Sequence, residues 1–170
     1  MNIKYFVIIV VSFFAVWGCV SPPEYAIEPE IKFLSLSRDT IDAFDSLKIT
    51  IEFTDGDGDL GIDDPQGNCT ACPDNADACL EHPTVNLFIK DSRDGCTNGA
   101  HIPKIIPKGT TDAISGEISF LPFSSPCKNG ISPLEGPPYD TVYYLIKIRD
   151  RAGNVSNEIT TPMIIVRCNR

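Results

Sequence analysis

The chain has little with which to build a familiar active site. Its two histidines, His82 and His101, have no partner at metal-ligand or acid–base spacing. GxSxG, HExxH, phosphate-loop and dinucleotide signatures are all absent, so the commonest hydrolase, zinc-protease and nucleotide chemistries lack a carrier. Acids are paired, but they crowd one short loop, whereas a glycosidase needs them poised across a cleft. Positive charge is scarce: 14 Lys and Arg face 23 Asp and Glu, a formal charge of −9. That balance argues against nucleic acid and against electrostatic adhesion to anionic lipid. No segment keeps an apolar stripe at helical period, which disfavours a helical bundle. No apolar run reaches the roughly twenty residues of a membrane-spanning helix. There is no internal repeat.

The longest apolar run lies at the start. Lys4 gives a short positive region, and Tyr5 to Trp17, about thirteen residues broken only by Ser12, has the length of a secretory h-region. Val16-Trp17-Gly18-Cys19 follows, and the first nineteen residues resemble a bacterial lipoprotein signal peptide ending in its lipobox. The resemblance implies cleavage before Cys19 and acylation of the Cys19 thiol and of the new amine. Each buried CH₂ adds about 0.8 kcal/mol, so several acyl chains hold such a protein at the membrane almost irreversibly. The alternative is an ordinary secretory signal with an incidental cysteine. The expected organisation is a signal peptide over 1–18, a lipidated cysteine and tether over 19–30, and one domain over 31–170. The expected location is the bacterial cell envelope, at the outer membrane, facing the periplasm or the outside. The tether carries Pro22, Pro23 and Pro29 and no periodicity.

Six cysteines remain after Cys19: Cys69, Cys72, Cys79, Cys96, Cys127 and Cys168. An even number in an exported chain implies three disulfides, with fifteen pairings open. A zinc site is the rival, since Cys69-x-x-Cys72 has ligand-like spacing, but no second such pair follows. A redox reading of the same motif lacks its βαβ setting.

Strand patterns run through the rest. Leu47, Ile49, Ile51 and Phe53 alternate with Lys48, Thr50, Glu52 and Thr54, a period of two with one buried face. Val85–Lys90, Ile114–Phe120, Val142–Ile148 and Met163–Val166 repeat it, with weaker strands expected at Ile31–Ser37 and around His101–Ile106. Fourteen prolines and twelve glycines fall mostly between these runs. About seven strands separated by turn signals predict an all-β chain folded as an antiparallel sandwich. Phe88 and Tyr143 fall on outer faces of neighbouring strands and are candidates for binding a glycan.

The densest chemistry follows the strand at 47–54. Asp55-Gly56-Asp57-Gly58-Asp59-Leu60-Gly61 places three carboxylates at alternate positions, with Asp63 and Asp64 just beyond as weaker ligand candidates. Glycines let the backbone curl and offer carbonyls inward. A hard cation with six to eight oxygen ligands suits the set, and calcium suits it better than magnesium, which keeps several waters. The loop is not an EF-hand, because Leu60 stands where the turn glycine belongs and Gln66 where the bidentate glutamate belongs. Leu60 and Ile62 are expected to plug the end of the sandwich, with Gly61 as the turn. The plain alternative is a solvated acidic turn, since close like charges in water repel by only about 1 kcal/mol per pair.

Two segments, Ile49 to Gly61 and Ile148-Arg-Asp-Arg-Ala-Gly-Asn-Val-Ser-Asn157, resemble bacterial immunoglobulin-like domains, with the similarity covering roughly 30–167. The resemblance implies an immunoglobulin-like sandwich that binds or spaces rather than catalyses. It implies that the B–C and F–G corners share one end, bringing Asp55, Asp57 and Asp59 toward Asp150 and Asn154 as a calcium site. On that topology Cys69, Cys72 and Cys79 lie in a long B–C insertion and the other three at the opposite end. One bridge must then join the groups, or a cysteine in each stays free, and Cys96–Cys127 is the favoured pair. The leading expectation is a non-enzymatic, lipid-anchored protein that binds a protein or glycan partner, with loops 62–84 and 122–140 as the binding elements. An accessory glycan-binding lipoprotein of a nutrient-uptake system, and an enzyme or enzyme inhibitor acting through the cysteine-rich loop, are the alternatives.

Overall fold

The computed structural model describes residues 24–43, 45–63, 67–75, 78–107, 112–122, 127–128 and 139–168. The signal segment, Cys19, Asp64 and most of the 122–140 loop lie outside these residues. The described residues are all-β: β1 (Glu30–Leu36), β2 (Thr40–Asp42), β3 (Ile49–Asp55), β4 (Cys69–Ala71), β5 (Leu87–Asp91), β6 (Thr97–Ala100), β7 (Ile114–Phe120), β8 (Tyr139–Val142), β9 (Tyr144–Ile148), β10 (Ile159–Thr160) and β11 (Ile164–Arg167). One 3-10 turn, Pro73–Asn75, is the only helical element among them. No described helix is long and apolar enough to cross a membrane.

The strands pair as β1-β3-β7, as β10-β9-β5-β6-β4 and as β2-β11-β8, antiparallel throughout except for β2 beside β11. The last two sheets are continuous through their chain. Ile159 faces Ile146 while Ile164 faces Val142, so β8–β9 and β10–β11 form one long hairpin that slips by a single residue at its middle. The result is a β-sandwich. Ile31, Ile49, Ile51 and Phe53 from one layer and Leu87, Ile89, Val142, Tyr144, Ile146, Ile148, Ile164 and Val166 from the other form one buried cluster. Each such side chain contributes about 1.5–3 kcal/mol on leaving water.

The period-two pattern of β3 holds on its core side, with Leu47, Ile49, Ile51 and Phe53 buried; on the other, Lys48 and Glu52 are exposed but Thr50 is buried against Ser119. β5 departs from it, because both of its faces are covered. Leu87 and Ile89 enter the main core, while Phe88 packs with Ala71, Cys79, Val85 and Cys69 in a second, smaller cluster. The predicted strand around His101–Ile106 does not form. Only Pro103 bridges, to Ile62, while Asn86 ties down the backbone of Ile102 through both its amide atoms.

All six cysteines are bridged, as Cys69–Cys79, Cys72–Cys96 and Cys127–Cys168. The expected Cys96–Cys127 pair is therefore wrong. The reason is β4, which adds to the outer edge of β6 with Ala71 opposite Thr97. Continuing that register by one residue sets Cys72 opposite Cys96. Cys127 is left to meet Cys168, just past β11. One bridge does join the two sequence groups, which ties the insertion to the β5–β6 hairpin.

Candidate metal centre

The acidic corner is shaped by burial, glycine and the end of β3. Asp55 closes that strand, paired with Ile114, and is 0% exposed. Its Oδ2 accepts the Leu60 N–H at 3.0 Å, which curls the loop back on itself. Leu60 is buried as the predicted plug, and Gly61 turns the chain at a φ of 87°. Gly58, at a φ of 67°, lies so close to the Asp112 carbonyl that a side chain there has no room. The carboxylates of Asp55, Asp57 and Asp59 converge, each offering an oxygen within 4.8 Å of the others'.

The distant corner arrives as the sandwich topology requires. Leu60 bridges to Asp150, and the Arg151 N–H donates to the Asp59 carbonyl at 3.3 Å. Asp59 Oδ2 accepts the Ala152 N–H at 2.9 Å, and the Arg151 guanidinium donates to the Gly61 carbonyl at 2.9 Å. Asp150 is not one of the converging carboxylates, and it is tied to Asn154. Asp150 takes the backbone and side-chain N–H groups of Asn154 at 2.7 and 2.8 Å, which closes the turn. Asp63 is exposed and pairs with Lys104 at 2.7 Å.

Two carboxylate oxygens in this corner, Asp55 Oδ1 and Asp59 Oδ1, are buried without a hydrogen-bond partner. Such a group is expensive unless a donor or a cation meets it. Burial, then the adjoining Asp57 and Asp59, push the Asp55 carboxyl up to about 6 against the pull of the Leu60 N–H. Burial and the charges of Asp150 and Asp57 raise Asp59 as well. The corner thus gathers three carboxylates, Asp57 exposed and Asp55 and Asp59 each with an oxygen unmet, a donor set that a hard cation can take. The described cysteines are not available as ligands, because each is in a disulfide.

The other end of the sandwich is charged but satisfied. Arg93, nearly buried, donates to Asp91 Oδ1 and Oδ2 at 3.0 and 2.6 Å and to Asp140 at 3.0 Å. Lys128 reaches Asp91 at 3.1 Å and also pairs with Asp94. Burial alone raises Asp91 and Asp140, but hydrogen bonds from Arg93 and Lys128 outweigh it and hold both carboxyls below the ordinary range. Sequence reading did not find this knot. The local Asp-Ser-Arg-Asp-Gly run looks like a simple turn, and Asp140 is far away in the chain.

The glycan-binding candidates separate. Tyr143 is 41% exposed at the break between β8 and β9. Phe88 is 3% exposed, because the insertion folds over the outer face of β5 and covers it. Arg149 seals that cover, stacking 5.5 Å over the Phe88 ring and donating to the carbonyls of Leu80, His82 and Val85. Phe88 is therefore a core residue and not part of an open platform.

No protein-family model, curated protein or solved structure matches this chain.

Proposed function

We propose that this is a non-enzymatic, lipid-anchored envelope protein, built on an immunoglobulin-like sandwich whose acidic corner takes up calcium as a structural ion. The observation that carries the metal reading is Asp55, a fully buried carboxylate with one oxygen unpaired and two further carboxylates beside it. A divalent cation meets those oxygens and cancels the repulsion among them. Asp55, Asp57 and Asp59 are the ligands, with Asp150 and Asn154 bracing the corner from behind.

The strand order supports the immunoglobulin-like assignment. β1, β3 and β7 stand as strands A, B and E, and β5, β8–β9 and β10–β11 as C, F and G, with the B–C and F–G corners side by side. The lipid anchor rests on the Val16–Cys19 motif and the apolar run before it. Acylation at Cys19 places the chain on a membrane, at the outer membrane in this reading, where its loops meet a protein or glycan. The glycan reading is the weaker of the two, since Phe88 is covered and Tyr143 is left alone.

Calorimetric titration of calcium into the full chain in detergent tests the metal. Binding is expected, weakened by at least about tenfold in Asp57→Asn, because that substitution removes a charged ligand and leaves the buried Asp55 untouched. Absence of binding, or binding indifferent to the substitution, rejects the site. The anchor has its own test: cells fed labelled palmitate are expected to label the wild-type chain and not Cys19→Ser. Equal labelling of the two rejects acylation at Cys19.

A further inference from the structure

The acidic corner touches a segment that the metal reading does not use. Residues 24–29 run past it before entering β1. The Gly56 N–H donates to the Ala26 carbonyl at 2.8 Å, and the Tyr25 hydroxyl reaches Ser115 Oγ at 3.4 Å. This is not simply β1 continued. Glu30 faces Thr54 and Ile31 faces Phe53, a register in which Gly56 would meet Glu28. Ala26 takes that place, and the bend at Ile27 and Glu28 absorbs the two extra residues. The fit is close, for a Cβ on Gly56 would lie 2.5 Å from the Tyr25 carbonyl oxygen and 2.6 Å from that of Ala26.

Gly56 is also the residue between Asp55 and Asp57. Whatever fixes those two carboxylates fixes the peptide between them and so the direction of the Gly56 N–H. The Asp55 and Asp59 oxygens that are buried and unpaired point independently to a ligand at this corner.

Resting on the calcium reading above, we propose that Glu24–Pro29 is a latch, closed over the acidic corner when the cation is bound and released when it is removed. With the cation absent, three close carboxylates repel, the loop loosens, and the single hydrogen bond from Gly56 no longer has a fixed donor. With it present, Gly56 is held against Ala26. Coupling of this kind is reciprocal, so the closed latch also tightens the cation site.

The latch sets the length of the tether. If Cys19 carries the lipid, release of the latch adds Glu24–Pro29 to the tether, at most about 20 Å of reach. Calcium would then draw the domain toward the membrane.

The test uses the full chain in detergent, with calcium chloride or with EGTA. Two readouts follow the latch: hydrogen exchange at the Gly56 amide, and the rate of cleavage after Glu28 by a glutamate-specific protease. Calcium is expected to slow both by about tenfold. Gly56→Ala keeps all three carboxylates but crowds the latch carbonyls, so it is expected to leave both readouts fast in either condition and to weaken calcium severalfold. If calorimetry registers calcium binding to the wild type while exchange and cleavage are unchanged, the latch is wrong and the metal site stands. If no calcium binds, both are wrong. The wild-type measurements decide the matter even if Gly56→Ala fails to fold.

Discussion

Asp55→Asn will make the calcium-free chain more stable at pH 8 and will remove its response to calcium. The two effects share a cause. In the folded chain burial and the neighbouring acids push the Asp55 carboxyl up to about 6, whereas unfolded it returns to its ordinary value of 3.8. A gap of about 2 pKa units corresponds to about 3 kcal/mol, an upper bound on what the ionised group takes from the folded state above both values. Asparagine keeps an oxygen for the Leu60 N–H and carries no charge, so the penalty goes. The sign of the pH dependence follows. Between about 4 and 6 the folded state binds more protons than the unfolded, so stability of the calcium-free wild type falls as pH rises through that window and levels off above it. The raised Asp59 carboxyl acts in the same direction. Calcium competes with those protons, so its contribution grows with pH over the same range, reaching about 2.7 kcal/mol at a free concentration a hundred times the dissociation constant. Urea titrations of both proteins, in EGTA and in calcium chloride, measure all of this. A calcium-free Asp55→Asn less stable than wild type at pH 8 would remove the basis of the metal assignment.

At the opposite end, Arg93→Ala will cost about 3–5 kcal/mol, enough to unfold a marginal domain. The guanidinium is the only described side chain that bridges Asp91 and Asp140, and its removal leaves those carboxylates buried with much less compensation. Here the pH logic is reversed. Asp91 and Asp140 are lowered in the fold, so their contribution is complete above the unfolded value and is lost as pH falls through their folded values. Without Arg93 that acid loss moves to higher pH. Urea denaturation at neutral pH and an acid titration by near-ultraviolet circular dichroism test the two statements. A cost under about 1 kcal/mol, the scale of an exposed ion pair, would show that the knot is solvated in practice.

Strands with one face in water were legible in the sequence, and strands covered on both faces were not. β3 alternates because solvent lies on one side of it. β5 reads as an ordinary half-buried strand, and only a segment about twenty residues earlier in the chain, folding back, makes Phe88 a core residue. β4 and β6 have no usable period. Cys69–Ala71 is three residues long, and Thr97-Asn-Gly-Ala100 has one β-branched side chain. Their pairing is what decides the disulfides, so the bridges were out of reach once β4 was missed. The acidic corner was legible for a better reason. Its three carboxylates lie within five residues, and two corners that share an end of a sandwich must meet. What that argument could not supply was orientation: Asp150 turns its carboxylate to the Asn154 N–H groups and is not one of the three that converge.

The β1–β3 pairing bears on how the protein carries load. β1 begins at the acidic corner, where the N-terminal segment leaves, and runs the length of the sandwich before β2 pairs with β11 at the other end. A pull applied between that segment and the far end of the sandwich would act along the axis of β1. Antiparallel hydrogen bonds lie across that axis, so such a force shears them together and does not peel them one at a time. Asn157 adds a rivet, clasping the Ile31 backbone through both its amide atoms. A pull on the N-terminal segment would thus be resisted by the whole β1–β3 ladder at once.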